Sequence, residues 1–261
     1  MKVILESKIG SIEATSEDSN YPVVNLLDDH PKKKYMVGSN DDTYTEIKIG
    51  TAGATGGLGL VNIIADRASI YIENPNGIVW QDTSITWDNV DWEEYPDSLK
   101  KEIIFSKTQE YNTLWVEFHE FQSSVDIIIK LYLDNVYDDK KISAGVVKVG
   151  VIREIKDIIY PVNISLIDYS YEKMLANGSI YYKKRDIVQK IRGSVLVDYN
   201  TYIDFMFSLA KKYGKIPAMW NIEEQEGCDN LILYGRLSIL PQTNIQNIKI
   251  RTIDFELTEV L

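Results

Sequence analysis

YNTLWVEFHEF, Tyr111–Phe121, followed closely by VDIIIKLYL, Val125–Leu133, decides the fold class. Leu114, Val116 and Phe118 alternate along an extended chain, and β-branched and aromatic residues crowd both runs, so two strong strands are predicted. Working outward, Glu46-Ile47-Lys48-Ile49 alternates in the same way, and Leu60–Ala65 is a further apolar run. Asn163–Ser170 reads as a strand, and Asn177-Gly178 as a tight turn before Ser179–Tyr182, which predicts a hairpin. Asn247–Val260 closes the chain with Ile248, Ile250, Ile253, Phe255 and Leu257 mostly buried. One segment breaks the strand pattern. In NTYIDFMFSLAKKYG, Asn200–Gly214, residues Ile203, Met206, Phe207 and Ala210 fall at i, i+3, i+4 and i+7, which predicts an amphipathic helix over 200–213. Asn200 or Thr201 suits its N-terminus, Lys211 and Lys212 the negative end of its dipole, and Gly214 its stop. The expectation is a mainly β chain with one helix packed on a sheet.

Length and composition bound the rest. A chain of 261 residues with 44% hydrophobic and 26% charged residues is globular and long enough for two domains. No apolar run approaches the roughly 20 residues of a spanning helix, so no membrane insertion is expected. MKVILESKIGS meets Glu6 too soon for a secretory signal, and the single Cys228 excludes an internal disulfide. The net charge of −11 is uneven: residues 1–165 hold 16 Lys and Arg against 27 Asp and Glu, whereas residues 166–261 hold 12 of each. An acidic half repels phosphate backbones, and the basic cluster Lys32–Lys34 is too small to reverse this, so no nucleic-acid partner is expected.

No catalytic constellation emerges, and an enzyme is not expected. TAGATGGLGL, Thr51–Leu60, lacks the Gly-Lys-Ser/Thr ending and the spacing of a phosphate loop, so it reads as a flexible turn between strands. His30 and His119 are two lone histidines, neither a triad nor a metal set, and neither metal nor cofactor is expected. Adjacent Glu93 and Glu94 point to opposite faces of an extended chain and so do not flank one glycosidic bond. Glu223, Glu224 and Glu226 read as a solvated loop. The strongest candidate binding surface is IVWQDTSITWDNVDWEEYP, Ile78–Pro96, where Trp80, Trp87, Trp92 and Tyr95 stand among carboxylates. Aromatic faces stack on sugar rings, and carboxylates accept hydroxyl hydrogens or bind calcium. The alternative is that these aromatics cover a sandwich edge or bury into a neighbouring subunit.

Two groups of phrases carry a family resemblance. SNYPVVNLLDDHPKKKY, followed by EIKI and VNIIA, resembles the opening of galactose-binding-like, discoidin-type β-sandwich domains, with Tyr35 where such domains often have tryptophan. Asn25, Leu26, Leu27 and Asp28 would then chiefly pin a loop to the core. Ile142–Gly150, with its Ala-Gly-Val-Val-Lys-Val-Gly strand before Pro161, is similar to the end of such a domain in tailed-bacteriophage tail and virion proteins. GKIPAMW, then Tyr234-Gly235-Arg236-Leu237 and the terminal Thr-Glu-Val, also resemble phage tail proteins.

The resemblance implies a discoidin-like β-sandwich (galactose-binding-like jelly roll) over 1–158 and a smaller tail-type β domain with the helix over 159–261. It implies a structural tail or baseplate component of a virion, assembled in the host cytoplasm. Its expected partners are other tail proteins and copies of itself. The alternative is a carbohydrate-recognition protein that binds host-surface glycans through Trp80, Trp87, Trp92 and Tyr95.

Overall fold

The computed structural model describes residues 1–39, 43–73, 98–104, 112–121, 128–134, 141–155, 158–198, 211, 214–222, 231–245 and 250–260. The chain is mainly β and divides into two compact units, Glu6–Ile152 and a second made of Met1–Leu5 with Arg153–Leu261.

The Glu6–Ile152 unit is built from antiparallel pairings. One sheet orders β2 (Ile9–Ala14), β4 (Tyr44–Thr51), β9 (Ile128–Asp134), β6 (Arg67–Glu73) and β7 (Ser98–Ile104). A three-stranded sheet orders β11 (Val147–Gly150), β5 (Thr55–Ile63) and β8 (Asn112–Phe121), and β3 (Tyr35–Met36) pairs with β10 (Ser143–Ala144). Period-2 alternation explains the sandwich: Ile47 and Ile49 of β4, Ile70 and Ile72 of β6, and Ile129, Leu131 and Leu133 of β9 turn inward. They meet Leu58, Leu60, Leu114, Val116 and Val149 from the three-stranded sheet in one core. The opening phrase pins its loop through part of the expected set, Asn25 and Leu26, whereas Leu27 is exposed and Asp28 pairs with the exposed Lys33. Val23–Leu27 forms a 3-10 helix whose Val23 and Leu26 are buried, while Asn25 Nδ2 donates to the Lys34 carbonyl at 3.1 Å. Tyr35 is fully buried; its hydroxyl donates to the Ser16 carbonyl at 2.5 Å and shares a hydrogen bond with Thr45 Oγ1 at 2.7 Å.

The Thr51–Leu60 segment differs from its reading. Only Ala52–Ala54 turn, with Gly53 at a φ of 125°, and Gly56, Gly57 and Gly59 lie inside β5. β5 is buried almost throughout and sits between two strands, with Gly59 opposite both Trp115 and Lys148. Absent side chains there make room for large neighbours, which composition alone does not distinguish from a loop.

The second unit is a seven-stranded sheet ordered β12 (Ile152–Glu154), β1 (Lys2–Ile4), β17 (Ala218–Asn221), β18 (Ile232–Ile245), β19 (Ile250–Glu259), β16 (Ile187–Asp198) and β13 (Ile158–Asp168). Strand β1 pairs with β17, Val3 opposite Trp220, so the chain's first residues fold with its last hundred. The expected division at 1–158 and 159–261 is thereby corrected: Met1–Leu5 joins the C-terminal unit and the sandwich is an insertion. One sheet face is apolar, with Val3, Ile191, Val195, Trp220, Leu233, Leu237, Phe255 and Leu257 in one cluster. Gly235 is required beside it, because a Cβ there would lie 2.8 Å from the Thr258 carbonyl oxygen, and the Trp220 indole donates to the Gly235 carbonyl at 3.0 Å. The predicted helix over 200–213 lies outside the described residues, apart from Lys211, which is helical.

The opposite face of this sheet carries an ion network. Glu256 of β19 is buried and receives Lys190 Nζ at 2.7 Å, Ser238 Oγ at 2.6 Å and Arg192 Nε. Burial would push its carboxyl up, but the hydrogen bonds from Lys190, Ser238 and Arg192 and the charge of Lys190 outweigh that and hold it at about 2.

A folded-state pKa below the unfolded value gives stability that is present above pH 4.5 and lost as pH falls from there toward 2. Urea titrations across that window should show this loss in the native chain and a flatter profile in Glu256→Gln, which starts lower. Tyr35→Phe should cost about 1–3 kcal/mol in the same assay, because Thr45 and the Ser16 carbonyl lose a buried partner; an unchanged midpoint would remove the hydroxyl from the fold's determinants.

Candidate interaction surface

Several strongly exposed apolar side chains, Leu166, Met174 and Ile180 among them, gather where β13 continues into a ribbon; Ile104 at the end of β7 is exposed singly in the other unit. After Asp168 the chain turns into β14 (Tyr171–Met174), reverses, and returns through β15 (Ile180–Lys183) to β16. The reversal is locally encoded. Asn177 Oδ1 accepts from Ser179 N at 3.0 Å and Ser179 Oγ at 2.6 Å, and Gly178 takes the left-handed conformation at a φ of 82°. Leu175 N donates to the Ser179 carbonyl at 2.8 Å, and Gly178 N to the Leu175 carbonyl at 2.9 Å. At the base, Arg185 N donates to Ser170 Oγ at 3.1 Å and Ser170 N to Asp168 Oδ1 at 2.7 Å. Bonds from the Ser170 side chain and backbone hold the Asp168 carboxyl below its ordinary range. The predicted hairpin is therefore present and pinned at both ends.

Its packing is unusual. β14 and β15 form a two-stranded sheet of their own, and every residue of both strands is exposed. Met174 and Ile180 face each other on one side with Glu172 and Tyr182, at 72% and 64% exposure respectively. Tyr171, Lys173, Tyr181 and Lys183 share the other side. Two strands alone are marginal in water. β13 has a related deficit: β16 pairs with one edge, and no strand among the described residues pairs with the other. Ile164 lies opposite the buried Ile191, on the apolar face of the sheet, yet is 50% exposed, and Leu166, two residues on, is 72% exposed. Ile158–Ile167 contains no charged residue. Pro161 and the register irregularity between Ile159 and Asn163 blunt the first part of this edge and Asp168 ends it, whereas Asn163–Ile167 between them is uncharged and carries Ile164 and Leu166, a stretch that soluble proteins normally cover.

A second feature lies at the irregularity in β13 between Ile159 and Asn163. A shallow cleft of about 370 Å³ opens there, lined by Pro161, Asn163, Arg192, Ser194, Ile239 and Asp254 with Glu256 at its floor. Its ionic groups are engaged with one another, Ser194 Oγ donating to Asp254 Oδ1 at 2.5 Å. The network fastens β16 to β19 and β18.

Trp80, Trp87, Trp92 and Tyr95 lie outside the described residues, as do Glu93, Glu94, Glu223, Glu224, Glu226 and Cys228. His30 is exposed, and its Nδ1 accepts from Lys32 N at 3.4 Å. Among the described residues no group of three or more His, Cys, Asp or Glu is placed to hold a metal ion. Sequence reading located the hairpin and missed its exposure. The available signal was that Tyr171–Met174 and Ile180–Tyr182 carry large apolar residues with no consistent inward side.

No family model and no curated protein matches the chain. Solved structures similar to part of it include reduced XRCC1 bound to the DNA polymerase beta catalytic domain, at 10% identity over 57% of this chain and 97% of that one, with a TM-score of 0.38. Another is chitosan-binding module 1 of a chitosanase/glucanase from Paenibacillus sp. IK-5, at 10% identity over 56% and 97%, TM-score 0.37. A third is CpGH89CBM32-6 from Clostridium perfringens, at 14% identity over 53% and 90%, TM-score 0.31. Likeness at these scores carries no inference about ligand or partner.

At a dilution where the chain is monomeric, the amides of Tyr171–Met174 and Ile180–Lys183 should exchange with solvent far faster than those at the centres of β16 and β19. Hydrogen exchange followed by mass spectrometry reads this directly. Equal protection of the ribbon and the central strands would show that it has support within its own chain.

Proposed function

We propose that this chain is a structural assembly protein, a tail or baseplate component of a tailed-phage virion, which associates with copies of itself through its C-terminal unit. The observation that carries the reading is the edge of β13, which no described strand pairs, running into a ribbon that no described strand flanks, both displaying large apolar side chains. Charge is compatible with it. The unit of Met1–Leu5 and Arg153–Leu261 holds 15 Lys and Arg against 14 Asp and Glu, so like units meet without net repulsion. The inserted unit, with 13 against 25, carries −12 and stays solvated or meets a basic partner such as another tail protein.

The phage setting rests on the resemblance of the GKIPAMW and Tyr-Gly-Arg-Leu phrases, which form β17 and the paired part of β18. In that setting the protein is assembled in the host cytoplasm, resides in the virion and performs no enzymatic step. The discoidin-type relationship of the inserted unit belongs to the same reading and is supported by the buried Val23, Leu26 and Tyr35 of its opening phrase.

Light scattering on the purified chain should find a discrete oligomer. Replacing Leu166, Met174 and Ile180 together by lysine should yield monomers whose unfolding free energy changes by about 0.5 kcal/mol or less per site, since all three are exposed. A native chain that stays monomeric at every concentration, alone and with neighbouring tail proteins, would sink the proposal.

A further inference from the structure

Resting on that self-association, we infer how the copies join: the β14–β15 ribbon of one copy adds to the open edge of β13 in the next. The chain carries two complementary deficits. The ribbon is two strands in need of a third, and β13 is an outer strand with one row of backbone groups unpaired by any described strand. Strand addition answers both at once through main-chain hydrogen bonds.

The side chains agree with this arrangement. Laid along β13 with Met174, Ile180, Tyr182 and the single carboxylate Glu172 on the side of Ile164 and Leu166, the ribbon prolongs the apolar face that starts at Ile191 and Leu257. The same placement sends Lys173 and Lys183 to the face that holds Asp254 and Glu256, which lie two strands further in and are already engaged with Ser194, Lys190 and Arg192. Ile158–Ile167 offers no charge to oppose these lysines. An edge-to-edge pairing of two β13 strands across a two-fold axis would cover the edges and leave both ribbons bare. Ribbon addition is head to tail instead: each copy gives one ribbon and receives one, so the assembly closes into a ring or propagates as a filament.

The test uses the full chain with Cys228→Ser, which removes the only native thiol. Leu166→Cys is prepared in one batch and Ile180→Cys or Met174→Cys in another, and the two are mixed and oxidised. Disulfide formation requires Cα atoms within about 7 Å, so it reports the contact itself. The expected result is a mixed disulfide severalfold more abundant than either homodisulfide, seen by mass spectrometry. An oligomer by light scattering with no mixed disulfide from either ribbon position would overturn ribbon addition and leave self-association standing. A Leu166→Cys homodisulfide alone would replace it with the two-fold edge pairing. Monomers throughout would remove both.

Discussion

The pairing of Lys2–Ile4 with Ala218–Asn221 is the constraint from which the rest of the chain's organisation follows. It commits the first strand to a sheet whose other members arrive much later in the chain. β12 then lies on the free side of β1, so the strands that precede and follow the inserted unit are neighbours in one sheet. An insertion is tolerated at such a place because its two ends are already close, and closing a long loop grows only slowly in cost with its length. Val3 and Ile4 are fully buried and Leu5 nearly so, which at roughly 1.5–3 kcal/mol per side chain makes this short strand more than an appendage.

Glycines and polar groups fix the details inside each unit. In β5, Gly59 lies in register with Trp115 on one flanking strand and with Lys148 on the other, and the Lys148 ammonium reaches Asp29. At Gly235 the absent side chain lets the Trp220 indole reach a carbonyl in the middle of the apolar cluster. Tyr35, fully inside the sandwich, satisfies its hydroxyl within the protein, which answers why a residue with a polar tip is accepted there. On the far face of the seven-stranded sheet, Glu256 ties three strands together, and removal of its charge would leave Lys190 largely buried without that partner.

The alternation of Ile47 and Ile49, of Leu114 and Val116, and of Ile253, Phe255 and Leu257 made the β class legible, because each element's inward face is written at period 2 in its own residues. The Asn177-Gly178 turn was legible for the same local reason: an amide that folds back on its own backbone and a residue free to adopt positive φ. Nothing local marks the partner of β1, a strand of three residues whose mate is more than two hundred positions away, and the domain division was misread there. The glycines of β5 were misread because their neighbours lie on two other strands, Gly59 opposite Trp115 and Lys148 and Gly57 opposite Glu117 and Gly150. The candidate interaction surface was half legible. Leu166, Met174 and Ile180 look like core residues in sequence, and only the absence of a neighbouring described strand distinguishes them.

That absence has a thermodynamic consequence which links fold to assembly. Leaving Ile164, Leu166, Met174 and Ile180 in water forgoes burial worth roughly 1.5–3 kcal/mol for each side chain relative to a core position. A ribbon held, among the described residues, by its turn and its base gains little from cross-strand pairs such as Met174 with Ile180. Among the described residues the fold is therefore open in one place, and that place is built from well-formed structure: a pinned base at Ser170 and Arg185, and a specified reversal at Asn177 and Gly178. A segment destined to stay loose needs neither. A ribbon preorganised in this way loses less conformational freedom when a partner strand meets it, so a modest apolar contact suffices for association.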